Sequence, residues 1–490
     1  MRRTFGRIFT LILVCSISSL AQTRSRSNII SPQPPRPQQP AAAPPLDLSK
    51  LEIEAIGWLQ DLLRINTSNP PGNELAAAKY LGSILDKEGI HPEIFETTPG
   101  RGFLVARLSS SAVPDPSRAL LLMGHLDVMG VEKNKWTVDP FGGVIKDGYL
   151  YGRGAIDDKG MTVANVAVLI ALKRAGVRLN RDVILLAEGD EEAGGQFGMK
   201  VAVDQHWDKI AAGFAINEMG RNVVENGKAR YLGVQVSEKV ATYVDVIASG
   251  TPGHASMPQR DNAVVHLSAA IAKIGGYEPP VQLNSVTRAY FEGLAPLQDE
   301  ETGKWMRALE SPDRAEHAAR LISNANAEWN GMLRDTVAPT MLQAGVRANV
   351  IPSEARAVVN IRLLPGNLLA PLLGKLRVLV NDPQVRFDVE PDGAETAPST
   401  STNTGLYTAI SRAATQQFPG VTVLPMMTTV ATDSVPLRLR NVQAYGVFLF
   451  PITEADYRHM HGDDERIPLD SFRQGIEFLD KIVTDFAVAK

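Results

Sequence analysis

The chain has 490 residues, a formal net charge of -4, 44% hydrophobic residues and 21% charged residues. This length is enough for two or three domains with substantial cores, and the composition is that of a globular protein rather than a disordered or membrane-embedded one. Because basic residues are not in excess, the charge argues against nucleic acid as a partner. A small molecule or a peptide is the expected substrate.

The N-terminal residues have the pattern of an export signal. Arg2, Arg3 and Arg7 precede the apolar run 8–17, and small residues follow as far as Ala21. We therefore expect residues 1–21 to be a signal peptide that is cleaved near Ala21, with export to the periplasm or the extracellular space. The apolar run is too short to span a bilayer, so no stable membrane span is expected in the mature chain. The alternative is an uncleaved anchor.

Residues 22–47 are rich in proline and almost lack aliphatic side chains, which predicts a disordered linker. After the linker, helical and strand patterns alternate. In chain order they predict helices at 53–63 and 74–89, strands at 103–108 and 119–128, a helix at 159–176 and a strand at 181–187. This alternation predicts an α/β domain with a mainly parallel sheet and helices on both faces. Ligands of such domains bind at the carboxyl ends of the strands.

The pattern changes between residues 239 and 365, which we interpret as an inserted α+β domain. It contains alternating strands at 241–248 and 355–363 and a helix at 263–275, and its polar, helix-prone part 292–334 is expected to elaborate the insert. The α/β pattern then returns with a helix at 405–418, a strand at 444–450 and a helix at 471–486. The prediction is a discontinuous catalytic domain formed by residues 48–238 and 366–490.

Several predicted strands end in ionisable side chains. His125 and Asp127 end one strand, Glu191 and Glu192 follow another, and Glu218 follows the apolar residues 214–216. Unpaired charge at the end of a buried strand costs several kcal/mol, and a bound cation would remove that cost. The pattern therefore predicts a metal-dependent hydrolase.

The spacing of these residues suits metal chemistry. His125 and Asp127 are two apart on a strand and share a face, which suits a metal-binding imidazole that a carboxylate orients. By itself, His125 is better explained as a core histidine, an explanation that loses its advantage once the other carboxylates converge. In the glycine-rich segment 152–160, Asp157 and Asp158 precede the predicted helix, so one is expected to cap it and the other to bridge two cations.

Glu191 and Glu192 suit two different tasks. One would bind metal while the other takes a proton from water. Two cations roughly 3.5–4 Å apart that share a carboxylate and a hydroxide would supply the nucleophile and a Lewis acid. The alternative is a solvated acidic loop.

In this combination and order, the motifs resemble the co-catalytic zinc peptidase family of glutamate carboxypeptidase, aminoacylase, carboxypeptidase S, carnosinase and succinyl-diaminopimelate desuccinylase. The resemblance runs from about Leu51 to the C-terminus. It implies two zinc ions per subunit, and it implies that the insert is a dimerisation (lid) domain of a homodimer. The roles it implies are zinc ligation by His125, Glu192, Glu218 and His461, a zinc-bridging Asp157 with a cis peptide bond to Asp158, Asp127 as the partner of the His125 imidazole, and Glu191 as the general base.

Further positions match the family less closely. His459 is an alternative to His461, although its spacing to the following acidic residues fits worse. His254 lies in a motif that resembles one of the inserted domain, where the histidine stabilises the oxyanion in the other subunit's active site. Asn349 and Arg362 match positions that contact the substrate in relatives.

One departure concerns substrate recognition. Many relatives have an arginine directly after the turn that corresponds to 432–434, where it helps to hold the substrate's carboxylate. This chain has Val435 there, and the nearest arginine is Arg438. The resemblance therefore implies the hydrolytic chemistry more firmly than it implies recognition of a free C-terminal carboxylate.

The predicted function is a zinc metallopeptidase of the carboxypeptidase or dipeptidase type, which cleaves an amide bond in small peptides through a metal-bridging hydroxide. The first alternative is an N-acyl amino-acid deacylase on the same scaffold. The second is a binding protein that has kept the fold and lost the chemistry, which would show as a missing ligand or base, and none is missing in the sequence.

Overall fold

The computed structural model describes residues 48–389 and 396–489. The predicted signal peptide (1–21) and the predicted linker (22–47) lie outside the described residues. Of the helices in these two ranges, none combines the length and the apolar character that crossing a bilayer requires.

The strands of the described ranges are, in chain order, β1 Glu93–Thr98, β2 Arg101–Leu108, β3 Leu120–His125, β4 Val144–Lys146, β5 Tyr149–Tyr151, β6 Val183–Glu188, β7 Phe214–Asn217, β8 Arg221–Glu225, β9 Lys228–Glu238, β10 Val240–Ser249, β11 Gly253–His254, β12 Thr336–Ala344, β13 Val350–Ile351, β14 Glu354–Leu363, β15 Val385–Val389, β16 Thr422–Thr428, β17 Gln443–Gly446 and β18 Arg466–Pro468. The α-helices are α1 Leu48–Arg64, α2 Glu74–Lys87, α3 Lys159–Ala175, α4 Met199–Gln205, α5 Trp207–Ile210, α6 Ala263–Gly275, α7 Ser285–Leu294, α8 Glu300–Ala308, α9 Ala315–Ala325, α10 Ala327–Leu333, α11 Leu369–Val380, α12 Gly405–Gln417, α13 Ser434–Leu439, α14 Glu454–Tyr457 and α15 Leu469–Ala487.

The main sheet has the strand order β1-β2-β6-β3-β7-β17-β9-β16, with β8 paired to β9. Its centre, from β6 through β3 and β7 to β17, is parallel, and β1, β2 and β8 pair antiparallel. The predicted α/β fold is confirmed.

Helices cover both faces of this sheet because strand side chains alternate between the faces. Leu120 and Leu122 pack in the core that includes α1, α3 and α15. Leu121 and Met123 pack in the opposite core, which includes α4, α5 and α13. The strands therefore read as continuous apolar runs, as expected for strands buried on both sides.

A second sheet has the order β12-β14-β10-β15 and is antiparallel throughout. It forms a separate core with α6 and α11, to which Val246, Leu267, Ile361 and Leu376 contribute. This core includes Phe387 and so extends past residue 365, where the sequence pattern placed the end of the insert. We propose that α11 and β15 belong to the inserted domain.

Helices α7–α10 differ from the sequence expectation for segment 292–334. Their buried side chains, among them Tyr290, Phe291 and Ile322, join the core of the main sheet rather than that of the second sheet. The contact with edge strand β16 is close, since a Cβ on Gly293 would lie 2.3 Å from Leu424 Cδ2. Helix α7 thus packs directly on the edge strand β16, and α8–α10 follow as a layer in which α8 contacts α7 and α9 contacts both α8 and α10.

The predicted strand 444–450 is also shorter in the structure, where β17 ends at Gly446. Phe448 and Phe450 are nevertheless buried in the main core. A buried apolar run has the same composition whether or not it pairs with a neighbouring strand, so the sequence pattern did not mark the point where the chain leaves the sheet.

Candidate metal centre

Three neighbouring parallel strands end at the same edge of the main sheet. β3 ends at His125, β6 ends three residues before Glu191, and β7 ends one residue before Glu218. The glycine-rich turn before α3 brings Asp157 to this edge, and the segment before β18 brings His461. The fold therefore collects residues that are far apart in the sequence.

Asp157 lies between two imidazoles. Its Oδ1 is 2.9 Å from His125 Nε2, and its Oδ2 is 2.9 Å from His461 Nε2. One glutamate accompanies each imidazole, because Glu218 Oε2 is 3.8 Å from His125 Nε2 and Glu192 Oε1 is 3.0 Å from His461 Nε2. Each oxygen of Asp157 thus faces one histidine, and each of these histidines has a glutamate beside it, which is an arrangement suited to a carboxylate that bridges two cations.

The side chains fit divalent metal ions. The ligand atoms of His125, Asp157 and Glu192 lie within 4.8 Å of one another, and so do those of His125, Glu191 and Glu218. Glu192 Oε1 is buried without a hydrogen-bond partner, although His461 Nε2 is nearby. Imidazole nitrogen and carboxylate oxygen are common ligands of Zn²⁺ and related ions.

The charge balance also favours a cation. Burial raises the pKa of Glu218, and the negative charges of Glu191 and Asp157 add to this effect. Burial and the neighbouring charge of Asp157 likewise raise the pKa of Asp158, against the opposing effect of His125. Carboxylates are therefore in excess here, and a divalent cation would favour their charged forms.

The ring of His125 is oriented by its other nitrogen. Nδ1 lies 2.9 Å from the backbone carbonyl oxygen of Asp127 and 3.5 Å from its carboxylate Oδ1. A proton on Nδ1 that is donated to this carbonyl leaves Nε2 as the free acceptor on the side of Asp157, which is the tautomer that a metal ligand needs.

The carboxylate of Asp127 binds the turn that carries the two glutamates. It accepts hydrogen bonds from the backbone N–H groups of Glu191 and Glu192, both at 3.1 Å, and from Asn69 Nδ2 at 2.9 Å. Glu191 and Glu192 begin a short 3-10 turn, so these bonds fix its first residues. Asp127 therefore links the strand that carries His125 to the glutamate pair.

The two aspartates before α3 have different contacts. The peptide bond between Asp157 and Asp158 is cis, as the resemblance implies. Asp158 occupies the N-cap position of α3 but makes no side-chain capping bond. Its Oδ2 instead accepts a hydrogen bond from the backbone N–H of His125 at 3.2 Å. Asp158 thus holds the N-cap position of the predicted helix, but its carboxylate supports the end of β3 and does not bond the first N–H groups of α3.

Glu465 and Arg153 join two segments that carry candidate ligands. The Glu465 carboxylate accepts hydrogen bonds from the backbone N–H groups of Gly154 (3.0 Å), Ile156 (2.8 Å) and Asp157 (3.1 Å) and from Arg153 Nη1 (2.6 Å). Arg153 Nη2 donates to the carbonyl oxygen of His461 at 3.2 Å. The pair is buried, with side-chain exposures of 3% and 0%.

The sequence showed Glu465 only as an acid four residues after His461, and it gave Arg153 no role. Their pairing spans 312 residues of chain and has no local signal. The structure also separates the two candidate histidines. His459 Nδ1 lies 2.7 Å from the carbonyl oxygen of Asp463, whereas His461 contacts Asp157 and Glu192.

Glu191 faces both the metal centre and a pocket of about 640 Å³. Burial raises its pKa, and the charge of Asp433 adds to the effect, against the lowering by His125. A carboxylate with a raised pKa beside a candidate metal centre has the properties of a general base.

His254 and Asn349 lie next to each other, and neither belongs to the strands or turns that carry the ligand cluster. His254 is in the small sheet formed by β11 and β13, where the backbone N–H of Ala255 donates to the carbonyl oxygen of Asn349. Both side chains are exposed. Arg362 is on β14, opposite Ala241, which lines the pocket beside Glu191.

Arg438 is engaged within the protein. Only 2% of its surface is exposed, and its guanidinium donates to Glu238, to Thr400 Oγ1 and to the carbonyl oxygen of Ala444. It is therefore part of a buried network and is not placed to hold a substrate carboxylate.

Comparisons with known proteins agree with this geometry. The model of peptidase family M20/M25/M40 matches residues 121–485. The probable carboxypeptidase S-like protein 2 of Dictyostelium discoideum is 27% identical over 374 residues, which are 74% of this chain and 70% of that protein. The human N-fatty-acyl-amino acid synthase/hydrolase PM20D1 is 26% identical over 490 residues, or 97% of this chain and 96% of that protein.

A similar solved structure is that of an M20 family metallo-carboxypeptidase from Sulfolobus solfataricus. It has a TM-score of 0.68 at 20% sequence identity and covers 88% of this chain and 99% of its own. The family match covers well over half of the chain and includes every strand end described above. The chain is therefore an enzyme, a metal-dependent hydrolase that belongs to peptidase family M20/M25/M40.

Proposed function

We propose that the protein hydrolyses an amide bond in small peptides, as a carboxypeptidase or dipeptidase. The observation that carries this proposal is the position of Asp157 between two pairs of histidine and glutamate, with Glu191 beside them. The names of the carboxypeptidase S-like relative and of the metallo-carboxypeptidase of similar fold support the same substrate class.

The proposed metal ligands are His125 and Glu218 on one side, His461 and Glu192 on the other, and Asp157 between them. We propose zinc as the metal, because nitrogen and oxygen donors of this kind are typical of catalytic zinc sites. When bound, two such ions supply Lewis acidity for the substrate carbonyl and lower the pKa of a water molecule.

Glu191 is the proposed general base. Its carboxylate takes a proton from the water whose oxygen attacks the carbonyl carbon of the substrate. It then gives this proton to the amide nitrogen as the C–N bond breaks, so that an acid and an amine are released. Asp127 positions Glu191 through its bond to the Glu191 backbone N–H.

A homodimer with an active site shared between subunits is part of the proposal. His254 is exposed, and its Nδ1 lies 2.7 Å from Ser256 Oγ. The outer strand β12 presents an edge with no further strand of the described chain beside it, and Met341 and Leu342 are 54% and 57% exposed there. Exposed edges of this kind are suited to pairing with a second copy.

Complementation tests this arrangement. His254→Ala and Glu191→Gln variants should each be inactive, whereas a co-expressed mixture should regain activity, because a mixed dimer contains one intact site. A mixture as inactive as its parts, from a protein that is dimeric in solution, would show that His254 does not act across subunits.

A second candidate function is hydrolysis of N-acyl amino acids. The specific observation in its favour is that apolar side chains, among them Met199, Val203 and Leu439, form part of the lining of the pocket beside Glu191. The human relative, whose name describes an N-fatty-acyl-amino acid hydrolase, matches almost the full chain.

Export of the protein also stays a proposal, which rests on the N-terminal sequence pattern and is testable by N-terminal sequencing of the secreted protein.

The proposed function is tested with Glu191→Gln, assayed on dipeptides, on peptides with a free C-terminus and on N-acyl amino acids. We expect two metal ions per chain to be retained and kcat to fall by about 10²–10⁴-fold. Glu300→Gln is the matched control, because Glu300 is 83% exposed and pairs with Lys304. Unchanged turnover in Glu191→Gln would refute the assignment.

A further inference from the structure

The turn that carries Glu191 and Glu192 begins at a residue with an uncommon backbone conformation. Asp190 lies between β6 and Glu191, and its φ of 71° is in the left-handed region. A residue other than glycine persists there only where its surroundings hold it. The carbonyl oxygen of Asp190 accepts hydrogen bonds from the backbone N–H groups of Ala193 at 3.2 Å and Gly195 at 2.6 Å, which close the turn. The placement of Asp190 therefore determines where the two glutamates lie.

The side chain of Asp190 is buried, with 3% of it exposed, and it accepts hydrogen bonds from distant segments. Its Oδ1 accepts one from Arg101 Nη2 at 2.7 Å and one from Asn69 Nδ2 at 3.0 Å. Its Oδ2 accepts one from the backbone N–H of Phe197 at 2.9 Å. Donors from separate parts of the chain thus hold one carboxylate in place.

Arg101 is the cation of this network. It is the first residue of β2, and 11% of its side chain is exposed. Its Nε and Nη2 donate to the two carboxylate oxygens of Glu74, at 3.1 Å and 2.6 Å. Glu74 is the first residue of α2 and packs on the end of β6, since a Cβ on Gly189 would lie 2.6 Å from Glu74 Cγ. The guanidinium therefore joins α2 to Asp190, and its bidentate pair fixes direction as well as distance.

Asn69 connects this network with Asp127. Its Nδ2 lies 2.9 Å from Asp127 Oδ2 and 3.0 Å from Asp190 Oδ1, so that each amide hydrogen serves one carboxylate. Asp127 in turn accepts the backbone N–H groups of Glu191 and Glu192. The turn is therefore held from Asp190 before it and from Asp127 at its first residues, and the amide lies between two carboxylates that would otherwise repel each other.

We propose that Arg101 and Asn69 are positioning residues, which fix Asp190 and through it the place of Glu191 beside the metal centre. The inference rests on the proposed function, because it takes Glu191 as the general base. Both side chains lie outside the pocket beside Glu191, so they act through the turn and not on the substrate. Since a displacement of reacting groups by about 1 Å can lower a rate about 100-fold, loss of either residue should lower kcat rather than raise KM.

The test is chemical rescue of Arg101→Ala. We expect kcat per folded, metal-loaded enzyme to fall about 10–100-fold, with KM within about twofold of the wild type. Guanidinium ion at about 20 mM should restore much of kcat, because it can bind Glu74 and Asp190 in place of the lost side chain at a concentration far below that which unfolds proteins. Urea at the same concentration has a similar planar shape without the charge and should not restore kcat.

Arg107→Ala is the matched control. Arg107 lies on the same strand as Arg101 and pairs with Asp182 at 2.9 Å, but Asp182 precedes β6 whereas Asp190 follows it. The control loses an ion pair between the same two strands, so it should keep kcat and should not respond to guanidinium. A wild-type kcat in folded Arg101→Ala would overturn the proposal. So would a loss of kcat that guanidinium restores no better than urea.

A second variant answers the case in which Arg101→Ala does not fold because Glu74 is left unpaired. Asn69→Ala leaves other donors to both carboxylates, since Asp127 still accepts the backbone N–H groups of the turn and Asp190 still pairs with Arg101. A fall in kcat with KM unchanged supports the proposal, and an unchanged kcat overturns it.

Failure of the proposed function would look different. A metal-loaded wild type that hydrolyses none of the dipeptides, longer peptides or N-acyl amino acids would refute that function, and metal affinity would then test the positioning role. Because the turn also carries Glu192, Arg101→Ala should lower the affinity for metal about tenfold in competition with a chromogenic chelator, and guanidinium should restore it. Wild-type metal affinity in Arg101→Ala would in that case overturn the inference.

Discussion

Replacing Glu465 by glutamine tests whether a single buried carboxylate holds the candidate metal centre together. Glu465 accepts three backbone N–H groups of the segment that ends at Asp157, and it pairs with Arg153, which in turn binds the carbonyl oxygen of His461. Glutamine has a similar shape but only one acceptor oxygen and no charge. The substitution therefore removes the charge opposite Arg153 and leaves fewer acceptors for the three N–H groups.

The expected loss of stability follows from the burial of the pair. Removing one partner of a buried ion pair costs about 3–5 kcal/mol, because the other charge is left without compensation. A buried N–H group without an acceptor costs roughly a further 1–3 kcal/mol. Because the two effects share the same atoms, we expect a loss of about 3–5 kcal/mol in total.

Metal affinity tests whether Glu465 positions the metal ligands, separately from its effect on stability. Asp157 and His461 are both displaced when this connection is lost, so the affinity for the ion that they share should fall about 10–100-fold. The assays are urea unfolding of the metal-free protein and competition with a chromogenic chelator. Glu132→Gln is the matched control, because Glu132 is 66% exposed and pairs with Lys135.

The double variant Arg153→Met/Glu465→Met distinguishes positioning from stability alone. Replacing the whole pair by apolar side chains removes the unpaired charge but also every acceptor of the three N–H groups, so it should restore only part of the stability. It should not restore metal affinity, because the N–H groups of Gly154, Ile156 and Asp157 still lack their acceptor. Full metal affinity in Glu465→Gln, with stability within about 0.5 kcal/mol of the wild type, would refute this reasoning.

Three other outcomes follow from the contacts of the metal centre and the core. In thermal melts, Gly198→Ala should destabilise the protein by more than about 3 kcal/mol, and it should lower activity, because the new Cβ would lie 1.6 Å from the carbonyl oxygen of Gly189. The control Gly57→Ala should be neutral or slightly stabilising in the same melts, because no atom outside its own helix lies within 4 Å of the new Cβ. Arg438→Leu should lower the free energy of unfolding by about 3–5 kcal/mol by leaving Glu238 unpaired, and an unchanged stability with a raised KM for peptides with a free carboxylate would instead assign Arg438 to the substrate. Removal of metal with a chelator should lower the Tm reversibly, because ligands at 1,000 times their Kd contribute about 4 kcal/mol; a Tm that is the same with and without metal would contradict a metal centre.

Local sequence patterns determined the secondary structure elements and the chemistry of their ends. The sequence shows the periodic apolar residues of α1, α3 and α15 and the apolar runs of β3 and β6. These patterns are visible because side-chain direction repeats along a helix or strand. Charged residues after buried strands are equally visible, and the order of His125, Asp157 and Glu192 indicated the family.

Only the tertiary structure decided which faces and side chains meet. Whether α7–α10 pack on the main sheet or on the second sheet depends on contacts between distant segments, since an amphipathic face has the same pattern against either partner. The same holds for Glu465, whose partners lie about 310 residues earlier, and for Val435, whose place on a pocket wall depends on the packing of α13 against α4. Local periodicity determines the direction in which a side chain points from the backbone. It does not determine which group of the protein lies in that direction.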